Sequence, residues 1–458
     1  MLPTSFIERM QSLLGDAFPA YLAAMSEPPS RALHLNTAKA STEALAPIKH
    51  ALSPIPYAYD GFYVDSSEKL GNHPLHHAGV FYLQEPSAMM PVAAAQIKRG
   101  VRVLDLCASP GGKSTQLANR IGEEGLLVSN EIVSARCATL AGNMERMGIR
   151  NAVVTNTDAK TLGEAFPAYF DVILADAPCS GEGMFRKMPE AADEWTSALP
   201  VSCAERQRDI LSQILPALRP GGLLIYSTCT FSPEENEEIV SYLLKTHPEL
   251  SLEAPTPEVI SATEPSPSSL CKDGCDPTLM RRFYPHVARG EGQFCALLRH
   301  GGSPASALPR ARERVRERRE QLSREEQALL SAFLDDTLRD APPYSLSPFK
   351  GSAVLSPAPA LPLDARFIYA CGVTVGNVQK GRVIPHHAFF SAYGHLFRRK
   401  LELSLDDPRL SAYLHGDTVP CDLPAGYAVV TVCGAPIGGI KVSGGVAKNH
   451  YPKGLRRL

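Results

Sequence analysis

Between Val101 and Arg299 the chain repeats one pattern: a short apolar run, a turn of small residues, then a stretch of helical periodicity. The apolar runs fall at residues 101–106, 125–129, 152–155, 171–175 and 223–226, with a late one at 293–298. Strands that alternate with helices imply an α/β fold built on a mostly parallel, doubly wound sheet. Ligands bind such sheets outside the carboxyl ends of the strands, so the turns after each run are where function is sought.

Two of those turns carry cysteine. Asp176-Ala-Pro-Cys-Ser-Gly-Glu-Gly183 puts Cys179 just past one run, and Tyr226-Ser-Thr-Cys-Thr-Phe231 puts Cys229 just past the next. Two thiols facing one cleft beside the Asp176 carboxylate suggest covalent chemistry on an electrophilic carbon. The chain has 11 cysteines, an odd number without a repeating spacing, which argues against a disulfide framework. Cys203 lies in a helical stretch and reads as a packing residue. Cys271 and Cys275 lack the second pair a zinc site needs, and the histidines of 72–77 and 386–387 have no cysteine or acid at ligand spacing, so no metal is expected. Ser232-Pro-Glu-Glu235 reads as a helix start, with Ser232 at the N-cap, Pro233 first in the helix and Glu235 three past the cap. That would set Cys229 near a helix N-terminus, which favours a thiolate, against the opposing run Glu234, Glu235, Glu237 and Glu238.

The turn after the first run, Leu104-Asp-Leu-Cys-Ala-Ser-Pro-Gly-Gly-Lys-Ser-Thr115, has paired glycines that let the backbone approach a ligand closely at a helix N-terminus. A phosphate-binding P-loop would need a glycine where Cys107 stands, so an ATPase is disfavoured. An adenosyl ligand instead asks for an acid after the second strand, and Glu131 is there. Asp158 follows the third strand, within reach of an adenine edge, and Asp176 ends the fourth. Each acid alone is ordinary, as a surface residue or helix cap; their recurrence in order is harder to attribute to chance.

At 458 residues, and with domains of roughly 150, about three modules are expected. Residues 1–85 read as an α+β domain opened by an amphipathic helix through Phe6, Met10, Leu13 and Leu14. Residues 86–302 form the Rossmann-like domain, 303–380 a linker with a small connecting domain, and 381–458 a β-rich module. The Pro- and Ser-rich stretch 253–269 reads as a surface loop. Residues 310–326, dense in both charge signs, read as a solvated helix entering a linker. The net charge is only −2, yet from Arg366 onward 12 Lys and Arg face 5 Asp and Glu. A basic module on an acidic enzyme fits a nucleic-acid-binding appendage. No 18-residue apolar stretch occurs and the first residues lack a secretory layout, so a cytoplasmic protein without a membrane partner is expected.

Four stretches together, 81–88, 104–115, 176–183 and 219–237, resemble the Sun-type (NSUN) RNA cytosine-5 methyltransferases, with the paired Pro-Cys and Thr-Cys signatures the most specific part. The two ends of the chain are similar to the bacterial RsmF-like subgroup acting on 16S ribosomal RNA, in which a PUA-like RNA-binding domain closes the protein. The resemblance implies a Rossmann-like core that holds S-adenosyl-L-methionine on Cys107, Ala108, Ser109, Pro110, Gly111, Gly112 and Lys113, with Glu131, Asp158 and Asp176 as further contacts. It implies that Cys229 is the nucleophile, attacking C6 of cytosine, and that Cys179 helps the product leave. Asp176 is placed to hydrogen-bond the base at N3 and N4. Arg186 and Lys187 fall near the RNA entrance, the alternative being two solvated loop cations. The target base must leave its stack. The implied partner is ribosomal RNA or the small ribosomal subunit, contacted by the N- and C-terminal domains of a monomer. Three alternatives stand beside this: the same reaction on transfer RNA, since catalytic motifs do not encode the RNA target; Cys179 as nucleophile, the role its motif has in DNA cytosine methyltransferases; and a ribosome-assembly factor without turnover, which would have no need for two cleft thiols.

Overall fold

The central alternation folds into a ten-stranded sheet in the computed structural model, which describes residues 2–272, 275–303, 321–358 and 361–456. Its main strands are β1 (Arg102–Asp105), β2 (Leu126–Asn130), β3 (Ala152–Thr155), β4 (Phe170–Asp176), β5 (Leu218–Thr228), β6 (Met280–Phe283) and β7 (Gln293–His300). They lie in the order β6-β7-β5-β4-β1-β2-β3. Strands β1 to β5 run parallel, while β7 is antiparallel to β5 and β6 to β7. The chain winds outward from β1 in both directions, so the turns after β1 and β4 meet at the topological switch point, where such sheets hold ligands.

Alternate strand residues feed two apolar layers. Val103, Leu127, Val154, Leu174 and Ile225 pack on one face with helices α1 (Gly112–Ile121) and α2 (Ser134–Met147), through Leu117, Ile121, Leu140 and Met144. Leu104, Val128, Val153, Ile173 and Leu224 pack on the other with Leu162, Phe166, Leu211, Ile239 and Leu243. Burial on both faces is why these strands read as continuous apolar runs. The far edge beyond β3 is closed by Ile368–Cys371, a strand from the connecting region that pairs antiparallel with β3 and removes an open edge.

The N-terminal sheet has the order Leu52–Ile55, Ala58–Val64, Arg31–Leu35, Phe81–Gln84, all antiparallel. Its two leading helices, Thr4–Leu14 and Phe18–Met25, lie apart from it: Phe6, Met10 and Tyr21 pack with Phe185, Trp195, Phe231 and Tyr284, residues around the two cysteine turns. The C-terminal five-stranded sheet runs Lys400–Leu403, Gly426–Val432, Ala435–Ser443, Val446–Asn449, Val419–Pro420. It shares one apolar cluster with the N-terminal sheet, in which Leu33, Leu35 and Phe81 meet Val430, Ile437 and Ile440. The two ends of the chain are therefore one docked unit. Between them, helix Arg324–Thr337, opened by a Ser323–Glu326 capping box, packs Leu330 and Leu334 with the hairpins of 346–385 and with Phe389 and Phe390. No helix among the described residues is long and apolar enough to cross a membrane.

Two local expectations are corrected. Residues 253–269 are not a plain surface loop: helix Pro257–Ala262 buries Val259 against the core, and Glu264–Pro265 adds a short strand to β6. Composition hid this because the anchoring residues are few. Ser232 is not a helix N-cap either. The helix begins at Glu237, and Ser232 lies in a turn, its hydroxyl drawn 2.7 Å to buried Glu182 instead. Of the charged stretch 310–326, residues 310–320 lie outside the described residues, and the helix starts only at Arg324.

Candidate active site and cofactor cleft

The turn after β1 bends at Gly111, whose φ of 111° only glycine adopts readily, and α1 starts at the next residue. A Cβ there would also press on Leu140 at 3.1 Å. Asp105, fully buried at the end of β1, accepts from Ser114 Oγ at 2.7 Å, and its Oδ1 has no partner within the protein. Burial pushes this carboxyl up to about 7. After β2, buried Glu131 takes the backbone N–H of Val133 at 2.9 Å and stands 3.5 Å from Arg136. Asp158, after β3, is exposed and caps helix Ala159–Ala165 by accepting from Thr161 N at 2.7 Å. Burial drives the Cys107 thiol up, so Cys107 stays protonated, half-buried in the turn. A tight turn at a helix N-terminus, an unpartnered buried carboxylate oxygen and an acid at the end of β2 fit an adenosyl ligand.

The switch point joins this turn to the cysteines. Lys113 Nζ donates to Asp176 Oδ2 at 2.8 Å, while Ser227 Oγ and Gln293 Nε2 donate to Oδ1 at 2.6 and 3.1 Å. Burial works against the Lys113 charge, but the Asp176 carboxylate beside it raises its pKa overall. About 27 % of the Asp176 side chain stays open to the cleft. Cys179 Sγ and Cys229 Sγ are 3.3 Å apart, both half-buried. The hydrogen bond with Cys229, then burial, raise the Cys179 pKa well above the usual thiol value, so Cys179 keeps its proton.

Two buried glutamates bind the cysteine turns together. Glu235 accepts from Ser180 N at 2.9 Å, from Ser180 Oγ and from Gln207 Nε2 at 3.0 Å, and burial pushes it up to about 7. Glu182 accepts from Thr230 Oγ1 at 2.9 Å, Phe231 N at 3.1 Å, Ser232 Oγ and Trp195 Nε1. Each turn thus supplies the acid that orders the other. Gly183 fits between them: a Cβ would sit 2.7 Å from Gly292 Cα and 2.9 Å from Cys229 O, both backbone. A Gly183→Ala protein is expected to shift Cys229 and lose about 10²-fold in turnover while remaining folded, since misplacement of the order of 1 Å costs that much. Unchanged steady-state turnover would refute it.

Asp176, Lys113, Cys179 and Cys229 converge as their places after β1, β4 and β5 predict. The Arg186 guanidinium is not a solvated loop cation: it grips Glu291 at 2.9 to 3.1 Å and donates to Ala24 O and Gly290 O, with its side chain buried, while Lys187 is exposed. Ser227, Gln293, Glu182 and Glu235 went unassigned as site residues. Their signal was a polar residue inside or beside an otherwise apolar run, which becomes specific only once its partner is known.

Strand order, the turn after β1 and the paired thiols define an S-adenosylmethionine-dependent methyltransferase fold. Residues 92–299 match the family described as 16S rRNA methyltransferase RsmB/F, residues 2–86 the N-terminal domain of 16S rRNA methyltransferase RsmF, and residues 400–457 the methyltransferase RsmF PUA domain. The chain is 32 % identical to the ribosomal RNA small subunit methyltransferase F of Erwinia tasmaniensis, over 99 % of this chain and 97 % of that one. It therefore belongs to the RsmB/F family of RNA methyltransferases, in the RsmF branch. Among solved structures, a methyltransferase homologue protein from Pyrococcus horikoshii superposes with a TM-score of 0.56 at 29 % identity, covering 65 % of this chain and 95 % of that one. NSun6 from Pyrococcus horikoshii, solved with SFG, shares the fold at a TM-score of 0.57 and 22 % identity, over 66 % and 99 %.

Proposed function

We propose that the enzyme methylates C5 of a cytidine in 16S ribosomal RNA through a covalent bond between Cys229 and C6. The observation that carries this is the contact of two thiols, 3.3 Å apart, beside the Asp176–Lys113 pair. Cytosine C5 is too electron-poor to take a methyl group unaided; thiolate addition at C6 makes it enamine-like. S-adenosylmethionine, when bound, supplies the electrophilic methyl group. The residues to hold it are Cys107 to Lys113, with Glu131, Asp158 and Asp176 after the strands that follow.

The chain's own residues divide the remaining work. Cys229 forms the S–C6 bond, pushing an electron pair toward C5. Asp176, oriented by Lys113, Ser227 and Gln293, faces the cleft and stabilises charge on the N3–N4 edge of the base. After methyl transfer the C5 proton goes to a base and the S–C6 bond breaks, its electrons returning to Cys229. Cys179 is assigned to this release because its sulfur touches the departing one: still protonated, it can give its proton to the Cys229 sulfur as the S–C6 bond breaks, while the C5 proton goes to the base.

Bisulfite mapping of ribosomal and transfer RNA from cells with and without the gene tests the target. The expected result is loss of methylation at one or more 16S cytidines. Loss confined to transfer RNA, or from neither, overturns the assignment.

A further inference from the structure

Catalysis leaves unexplained a group of cations where three modules meet, at the sheet end opposite the cofactor turn. Lys39 of the N-terminal domain reaches Ser391 Oγ at 2.9 Å and Arg146 O at 3.3 Å. Arg150, just before β3, lies 3.4 Å from His395 Nε2. Lys400 Nζ and Arg339 Nη2 both donate to His395 O, at 2.8 and 3.0 Å. Burial and then Arg150, Lys400, Lys39 and Arg339 push the His395 imidazole down to about 4; every charge acting on it is positive. A recess of about 30 Å³ lies between Lys39, Arg150, Ser391 and His395.

Counter-charge is scarce here. Glu123 pairs with Arg150, and Asp336 is taken by Arg399. Glu402 tempers Lys400, but its own hydrogen bonds go to Thr431 and Gly434. Among the described residues no ion pair reaches Lys39, Arg339 or Lys400. Desolvation first, then Arg146 and Arg150, lower Lys39 to about 7. Holding like charges together without partners costs stability, and the cost is offset when an anion is shared among them.

We propose that this cluster binds the phosphodiester backbone of the RNA substrate, as a docking contact remote from the thiols. This rests on the ribosomal RNA reading above. A chain of phosphates suits the geometry better than one free phosphate. The recess has room for about one water, whereas the cations run outward from Arg150 and Lys39 past the His395 ring to exposed Lys400 and Arg339. Three modules supply them, so bound RNA would also hold the N-terminal, catalytic and C-terminal parts together.

The test uses full-length protein with small ribosomal subunits, or 16S RNA, as substrate. Arg339→Gln with Lys400→Gln changes only exposed side chains. It is expected to lower kcat/KM about tenfold through KM, and to flatten the dependence of log affinity on log salt by about one to two. Lys98→Gln with Lys245→Gln removes two exposed cations elsewhere and serves as the control. Equal KM and salt slope in the double variant and wild type would overturn the proposal, as would an equal loss in the control. So would protection of wild type, but not of the variant, by millimolar inorganic phosphate with RNA affinity unchanged. Wild-type protein that neither binds nor methylates ribosomal RNA would instead fail the function reading, and this site with it.

Discussion

Cys229→Ala protein is expected to transfer no methyl group and to form no covalent RNA adduct, with a loss of at least about 10⁴-fold in turnover, the scale on which removal of a nucleophile acts. Cys179→Ala is expected to do the opposite to the adduct: form it and fail to resolve it, so that protein–RNA species persist on a denaturing gel. The asymmetry has a physical source in the site. The two sulfurs are 3.3 Å apart, so distance does not separate their roles. The hydrogen bond with Cys229 and burial raise the Cys179 pKa well above the usual thiol value, which disfavours it as the first nucleophile. Loss of the adduct only with Cys179→Ala would reverse the assignment.

Arg282→Met is expected to destabilise the protein by about 3–5 kcal/mol, because removing one partner strands a buried charge. Arg282 donates to both oxygens of Glu237 at 2.7 and 2.6 Å, and neither side chain is more than 1 % exposed. A further bond of 2.8 Å runs to Phe231 O, two residues beyond Cys229. The pair fastens β6 to the turn that carries the nucleophile, so activity should fall along with stability. Adding Glu237→Leu removes the stranded carboxylate and should recover a large part of the lost stability, with less recovery of turnover. Urea denaturation of the three proteins reads the first effect; a loss below about 1 kcal/mol in Arg282→Met would show the pair to be dispensable.

Much of the catalytic domain was legible in the chain. Parallel strands buried on both faces leave apolar runs that periodicity detects, and turns after such strands hold ligand residues by topology, so the sequence alone brings Asp176, Cys179 and Cys229 together. Local signals failed where a distant residue outcompeted a local one. Ser232, Pro233 and Glu235 spell a capping box, yet Glu182 takes the serine hydroxyl and Ser180 and Gln207 take the glutamate, so the helix starts later. Arg186 reads as a surface cation until Glu291, more than a hundred residues on, buries it.

The sequence by itself determined the class of fold, the order of the ligand turns and the identity of the two thiols, because these follow from short-range pattern and strand connectivity. Only the tertiary structure decided which polar groups meet: the Lys113–Asp176 pair, the exchange of glutamates between the cysteine turns, the docking of the first sheet on the last, and the cation cluster at the junction of three modules. Hydrogen bonds and charge contacts act over a few ångströms in space between residues tens to hundreds of positions apart, and spacing along the chain carries no record of them.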